Sequence, residues 1–244
     1  MKMWKTINRN EIFQVLSGRA NAYFISTAQG NVLIDTGVRS SYQRLKKHIK
    51  KLHLVADKID FLVLTHTHFD HCQNAKRIKD KDKSQIIIGA EEAEFVQQGK
   101  APIPEGTFSF TRFVARLGRM LEAKQFGYAP FTADRLIEDK MTLIKEDIVV
   151  ELISTPGHSK GSISVIVDND IALVGDTMFG IFKDSIFPPF ADDIPSVIQS
   201  WGKLLNTGCQ LFLPGHGSEI KRGLLEKEYH KYAAKYDLQN AVLV

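Results

Sequence analysis

Cysteine is almost absent from this chain: there are two in 244 residues, Cys72 and Cys209, far apart in sequence. Two cysteines cannot build a disulfide framework, so nothing demands an oxidising compartment. There is no Cys-x-x-Cys pair, which removes dithiol redox chemistry. Long hydrophobic runs are missing too. No stretch approaches the roughly 18 apolar residues of a spanning helix, and the opening Met1-Lys2-Met3-Trp4-Lys5-Thr6 has no apolar core of a signal peptide. The expectation is a cytoplasmic protein with no membrane partner. Charge of one sign is also lacking, since 32 Lys and Arg face 28 Asp and Glu, a net +4. That excess does not by itself argue for nucleic acid. No phosphate-cradling glycine-rich loop is found, which sets aside P-loop enzymes.

What remains is an ordinary globular composition, 43% hydrophobic and 25% charged. It can bury a substantial core, and residues 1–244 are expected to form a single domain.

Histidine carries the first positive signal. The chain has eight, and three of them, His66, His68 and His71, fall with Asp70 inside six positions. They follow residues 59–64, an apolar run fit for a buried strand. At an extended strand tip, side chains repeat with period two, so His66 and His68 point the same way. Asp70 and His71 come where the chain turns. Imidazole nitrogen and carboxylate oxygen are donors that zinc accepts. Cys72, next along, could supply sulfur, but its place suits a small buried residue at a helix start.

Hydrophobic periodicity places strands at 12–16, 22–27, 32–37, 85–89, 141–144, 148–153, 162–167, 171–174 and 210–213. Helices are expected at 40–53, 73–79, 90–98, 195–205 and 224–236, with a charged turn at 79–83 and a tail at 240–244. Residues 91–141 read as a helical insertion. Within it Phe110, Phe113, Val114, Leu117 and Leu121 recur at helical spacing, with Arg112, Arg116 and Arg119 on another side. Such a helix could cover a site, form a dimer surface, or pack its aromatics on the body. A weak internal repeat is visible: each half has a hairpin ending in Asp-Thr (Asp35-Thr36 and Asp176-Thr177), then a helix, then a strand ending near histidine. Two such halves suggest two packed sheets with helices outside.

Three more strand-end strings complete the set: Thr155-Pro156-Gly157-His158, Val174-Gly175-Asp176-Thr177 and Pro214-Gly215-His216-Gly217. His48, His53 and His230 fall in expected helices and are taken as surface residues.

The string His66-x-His68-x-Asp70-His71, together with His158, Asp176 and His216, resembles the signature of the metallo-β-lactamase fold superfamily. The resemblance spans most of the chain. Only the usual glycine soon after the cluster is replaced, by Cys72-Gln73-Asn74. It implies an α+β, four-layer αββα sandwich and two divalent metal ions, zinc in the first place, with manganese or iron as options. One ion would take His66, His68 and His158, the other Asp70, His71 and His216, and Asp176 would bridge them. It implies a metal-dependent hydrolase in which a hydroxide bridging the ions attacks, with Asp70 passing a proton to the leaving group. Asp35 is a candidate partner for the second nitrogen of a ligand histidine.

Substrate class rests on the apolar segments. Phe179, Ile181, Phe182, Ile186 and Phe187 would line a greasy entrance, which favours a small-molecule ester, thioester or lactone with an apolar acyl part, as in the lactonase and glyoxalase II-like branches. Glyoxalase II itself is disfavoured, because too little chain follows His216 for its helical glutathione-binding domain. True β-lactamases usually lack the bridging aspartate, and Asp176 is present. The alternatives are a phosphodiesterase or nuclease using the same ions and a mono-iron persulfide dioxygenase. Lysine-rich helices could meet phosphates, but they lack interleaved aromatics for base stacking, so nucleic acid is disfavoured. A homodimer is left open.

Overall fold

The computed structural model describes residues 1–52, 58–120 and 126–238. Among them lie two sheets. The first runs in order β1 (Met3–Lys5), β2 (Glu11–Leu16), β3 (Ala22–Ile25), β4 (Val32–Ile34), β5 (Phe61–Val63), β6 (Gln85–Gly89) and β7 (Arg135–Ile137). Its first four strands are antiparallel and β4 to β7 are parallel. The second sheet runs β13 (Ile220–Lys221), β12 (Leu211–Pro214), β11 (Ile171–Gly175), β10 (Ile163–Val167), β9 (Val149–Ser154) and β8 (Lys140–Lys145). There only β11 and β12 are parallel.

The period-two alternation of the strands sorts their side chains into layers. In β3, Tyr23 and Ile25 face the second sheet, where Val150, Leu152, Val165 and Leu173 meet them. Ala22 and Phe24 face outward onto α1 (Tyr42–Lys50), α3 (Ala75–Asp82) and α4 (Ala93–Gln98) through Leu45, Ile49, Ile78 and Val96. In the second sheet Ile166, Ala172 and Val174 face α6 (Ile194–Leu205) and α7 (Arg222–Lys235), against Trp201, Leu204, Leu225 and Tyr229. This is the αββα sandwich, and each half contains the expected hairpin, crossover helix and parallel strand: β3-β4-α1-β5 and β10-β11-α6-β12.

Several expectations are corrected. Residues 79–82 are the last turn of α3, not a charged turn. The helix stops at Lys83, whose left-handed backbone (φ 59°) caps it, and its charges are neutralised in the pairs Lys76–Asp80, Lys46–Asp82 and Lys79–Asp134. Helix begins earlier than position 73, as the single turn α2 (Phe69–Cys72). Strands β1, β7 and β13 have no periodicity long enough to read. Ile186 and Phe187 do not line an entrance. Both are buried in the outer core of the second sheet, where Phe187 stacks on Tyr232. In α5 (Ser109–Met120) the aromatics do not pack on the body: Phe110 is 75% and Phe113 65% exposed, and Ala115 is the buried residue. His48 is half-buried, with Nδ1 2.7 Å from the Val15 carbonyl oxygen. His53, Leu121 and the tail at 240–244 lie outside the described residues. No helix among the described residues is long and apolar enough to cross a membrane.

Candidate metal centre

The ends of β4, β5, β9, β11 and β12 converge on one edge of the sandwich, and each delivers a polar side chain. Asp35 follows β4 in a left-handed conformation (φ 60°), which aspartate tolerates. Its Oδ1 accepts from the Thr65 amide at 2.8 Å. Its Oδ2 accepts from Thr65 Oγ1 at 2.9 Å and lies 2.9 Å from His71 Nδ1. The Thr36 amide and hydroxyl both donate to the His71 carbonyl, at 2.7 and 2.8 Å. The Asp35-Thr36 pair thus fixes His71 from two sides and leaves Nε2 facing inward.

There His71 Nε2 lies 3.2 Å from His216 Nε2 and 3.4 Å from Asp176 Oδ1. His216 Nε2 is 3.2 Å from Asp176 Oδ2 and 3.6 Å from Asp70 Oδ2. On the other side, His158 Nδ1 bonds to the Phe190 carbonyl at 2.9 Å, which turns Nε2 inward, 2.9 Å from His68 Nδ1. Asp176 is placed by Gly175, whose left-handed backbone (φ 51°) packs so close to Thr65 that a Cβ would lie 2.5 Å from its hydroxyl.

All seven residues singled out in the sequence meet here. Three trios each place donor atoms within 4.8 Å of one another: His66–His68–His158, Asp70–His71–His216, and His66–His71–Asp176, which links the first two. His66 Nε2 and Asp176 Oδ1 are buried with no hydrogen-bond partner. Buried polar atoms are seldom left so, and a cation between them satisfies both.

The electrostatics point the same way. Burial, reinforced by neighbouring imidazoles, holds His66 and His68 well below the usual histidine range, so both are neutral donors. Burial also pulls His71 down, but the carboxylates of Asp176 and Asp35 outweigh it and push the ring up to about 10. Burial raises Asp176, yet His216 and His71 hold it well below the carboxylate range. Asp176 likewise raises His216 against its burial, so the carboxylates draw positive charge into the centre, and its nitrogen and oxygen donors fit a divalent cation that would take the place of those ring protons.

A cavity of about 560 Å³ opens over this centre. Its floor is His68, Asp70, His158, Asp176 and His216. Its walls are mostly apolar, with Ile103, Phe126, Phe179 and Ile181, and Val114 and Leu117 from α5. Arg19 is the lone arginine or lysine among its lining residues, with its guanidinium 5.2 Å from the Phe69 ring centre. Phe182 and Phe110 are exposed and outside that lining.

One buried acid was not read from the sequence. Glu92 lies beyond β6 in the string Gly89-Ala90-Glu91-Glu92-Ala93-Glu94, and only the middle glutamate is buried. Nothing in the spacing separates it from its exposed neighbours. The one usable signal was its place after a strand end, the position shared by the other polar residues of the centre.

The family model of the metallo-beta-lactamase superfamily matches residues 17–216, and the chain belongs to that family. A probable metallo-hydrolase of Methanocaldococcus jannaschii is 30% identical over 160 residues, covering 66% of this chain and 68% of that protein. A probable metallo-hydrolase of Bacillus subtilis is 28% identical, covering 82% of this chain and 86% of that one. An atrochrysone carboxyl ACP thioesterase of Aspergillus fumigatus is 24% identical, covering 82% of this chain and 51% of its own length. Among solved structures, a subclass B3 metallo-beta-lactamase of Bradyrhizobium japonicum superposes with a TM-score of 0.71 at 21% identity, covering 99% and 94% of the two chains. That likeness shows the fold. Membership of the family, the metallo-hydrolase relatives and the His/Asp cluster define a metal-dependent hydrolase.

Proposed function

We propose that the chain cleaves a carboxylic ester, thioester or lactone whose acyl part is apolar. The observation that carries this reading is the cavity: a floor of imidazole and carboxylate under walls that offer an acyl chain little but hydrocarbon and aromatic surface. The thioesterase among the relatives supports the acyl assignment. We further assign two divalent ions, zinc before manganese or iron, to the centre. His66, His68 and His158 would hold one, Asp70, His71 and His216 the other, with Asp176 reaching both. Such ions activate water at neutral pH and polarise a bound carbonyl.

The remaining work falls to the chain itself. Asp35 and the Phe190 carbonyl orient His71 and His158. Phe179 lies flat on His216, with ring centres 5.2 Å apart and planes 5° apart, and shields it from water. Asp70 lines the cavity and would take the proton released by the attacking water and pass it to the leaving alkoxide or thiolate. Helix α5, inside the 91–141 insertion, supplies one wall through Val114 and Leu117 and acts as a cover. The free, buried Cys72 and Cys209 suit the reducing cytoplasm.

The phosphodiester alternative is weaker because Arg39, Lys76, Arg77 and Lys81 form a separate groove and do not line the cavity. The test is a substrate panel run on zinc- and manganese-loaded protein: aliphatic thioesters, aryl esters, lactones and a phosphodiester. Chelator-sensitive cleavage of a carboxyl derivative is expected, at least tenfold faster than the phosphodiester. A dominant phosphodiesterase activity, or oxygen-dependent persulfide oxidation by iron-loaded protein, would overturn it.

A further inference from the structure

Glu92 has no part in the reading above, yet its carboxylate ties together the loops that carry one ligand trio. It is 1% exposed. It accepts from the Thr67 amide at 3.1 Å, from the Thr67 hydroxyl through a short bond, from Ser159 Oγ at 2.6 Å and from the Gly161 amide at 3.2 Å. Thr67 stands between His66 and His68, and Ser159 follows His158. The first loop follows β5 of one sheet, and the second joins β9 to β10 of the other. Glu92 itself hangs beyond β6. One side chain therefore sets how far the two sheet edges stand apart at His66, His68 and His158.

The chemistry requires a carboxylate. All four partners present a donor hydrogen, and an ionised carboxylate is the side chain that only accepts. A glutamine would turn its NH2 toward either the Gly161 amide or the Thr67 amide, and that backbone donor would then face another donor. The packing has no slack. A Cβ at Gly161 would lie 2.5 Å from Glu92 Cγ, and one at Gly89 would run into the Gly161 carbonyl. The Ile163 amide also bonds across to the Thr65 carbonyl at 2.8 Å.

We infer that Glu92 is a positioning residue for the His66–His68–His158 trio, and that losing its carboxylate weakens cation binding there while sparing Asp70–His71–His216. The inference rests on the reading that each trio holds an ion. Residues that orient metal ligands from behind typically change affinity by about 10–100-fold.

The experiment is a zinc titration against a competing chelator on wild type, Glu92→Gln and Glu228→Gln. Glu228 is the matched control: it is also 1% exposed, bonded to Ser185 Oγ at 2.9 Å and paired with Lys231 at 3.0 Å, but it lies on α7 away from the centre. Wild type is expected to show two tight classes of site. Glu92→Gln should weaken one class about 10–100-fold and leave the other within about threefold. Glu228→Gln should lower the melting temperature and leave both classes unchanged. Equal affinities in Glu92→Gln and wild type, or equal weakening of both classes, would overturn the inference. Failure of wild type to bind zinc at all would remove the underlying metal reading along with it. Should Glu92→Gln not fold, Ser159→Ala, which deletes one donor and keeps the carboxylate, must weaken the same class several-fold; unchanged affinity there overturns the inference.

Discussion

His71 Nδ1 lies 2.9 Å from Asp35 Oδ2, and both side chains are buried. The pair fixes which ring nitrogen of His71 faces the centre. The Asp35 carboxylate also accepts twice from Thr65, the residue before His66, so one acid orients two histidines. Asp176 stands at the matching point of the second half, after the second strand of its hairpin, but its carboxylate reaches the centre directly.

Replacing Asp35 with Ala leaves the Thr65 hydroxyl and amide and His71 Nδ1 without their buried acceptor. The expected outcome is a folded protein whose affinity for zinc falls by about 10–100-fold. Its melting temperature should also drop, since each buried polar group left unpaired costs about 1–3 kcal/mol. Chelator competition and thermal melts of the metal-free protein measure the two effects separately.

Gly215 gives a second handle. A Cβ there would run into Asp176 Oδ1 and lie 2.7 Å from His71 Cε1. Gly215→Ala is expected to keep its far-ultraviolet circular dichroism while losing at least one equivalent of bound metal and at least 90% of hydrolytic rate. Normal metal content in that variant would show that the centre tolerates displacement of these two groups.

The layers, the repeat and the cluster were legible in the sequence because each rests on a short-range pattern. The unbroken apolar run Ala22-Tyr23-Phe24-Ile25 reports a strand with two buried faces. The spacing of His66, His68, Asp70 and His71 reports a strand tip that turns. Other features were hidden because their cause lies far away in the chain. Glu92 is buried because Thr67 and Ser159 come to it, and no local pattern marks it off from Glu91 and Glu94. Ile186 and Phe187 read as entrance residues because the loop is apolar; Trp201 and Tyr232, distant in sequence, draw them into the core. Phe110 and Phe113 left a cover, a dimer surface and a packing face open, because periodicity shows that a helix has two sides, but not which side meets the body.

Asp168 ties the N-terminal segment to the second sheet. Burial raises its pKa, but bonds from Thr6, Asn10 and the Val149 amide outweigh that and hold it below the usual carboxylate range. A depressed folded-state value means that the carboxylate stabilises the fold above the unfolded value and loses this contribution as pH falls through the folded one. Melting temperature should therefore fall below about pH 4 in wild type. Asp168→Asn, which tolerates the left-handed backbone there (φ 52°), should flatten that acid limb. Parallel acid limbs in the two proteins would contradict the assignment.

The apolar cavity predicts a dependence on chain length. Each methylene buried contributes about 0.8 kcal/mol, roughly fourfold in kcat/KM, until the cavity is filled. Leu117→Asp, on the α5 wall, should remove most of that gain for long acyl chains and leave short ones within about twofold. A flat series from two to ten carbons in wild type would contradict an acyl pocket.

The most direct measurement is the metal content of protein purified without chelator and without added metal, beside an Asp176→Ala variant. The account predicts about two zinc or manganese ions per chain in wild type, and fewer in the variant with loss of hydrolysis. One iron per chain, or no bound metal together with unimpaired activity, would contradict it.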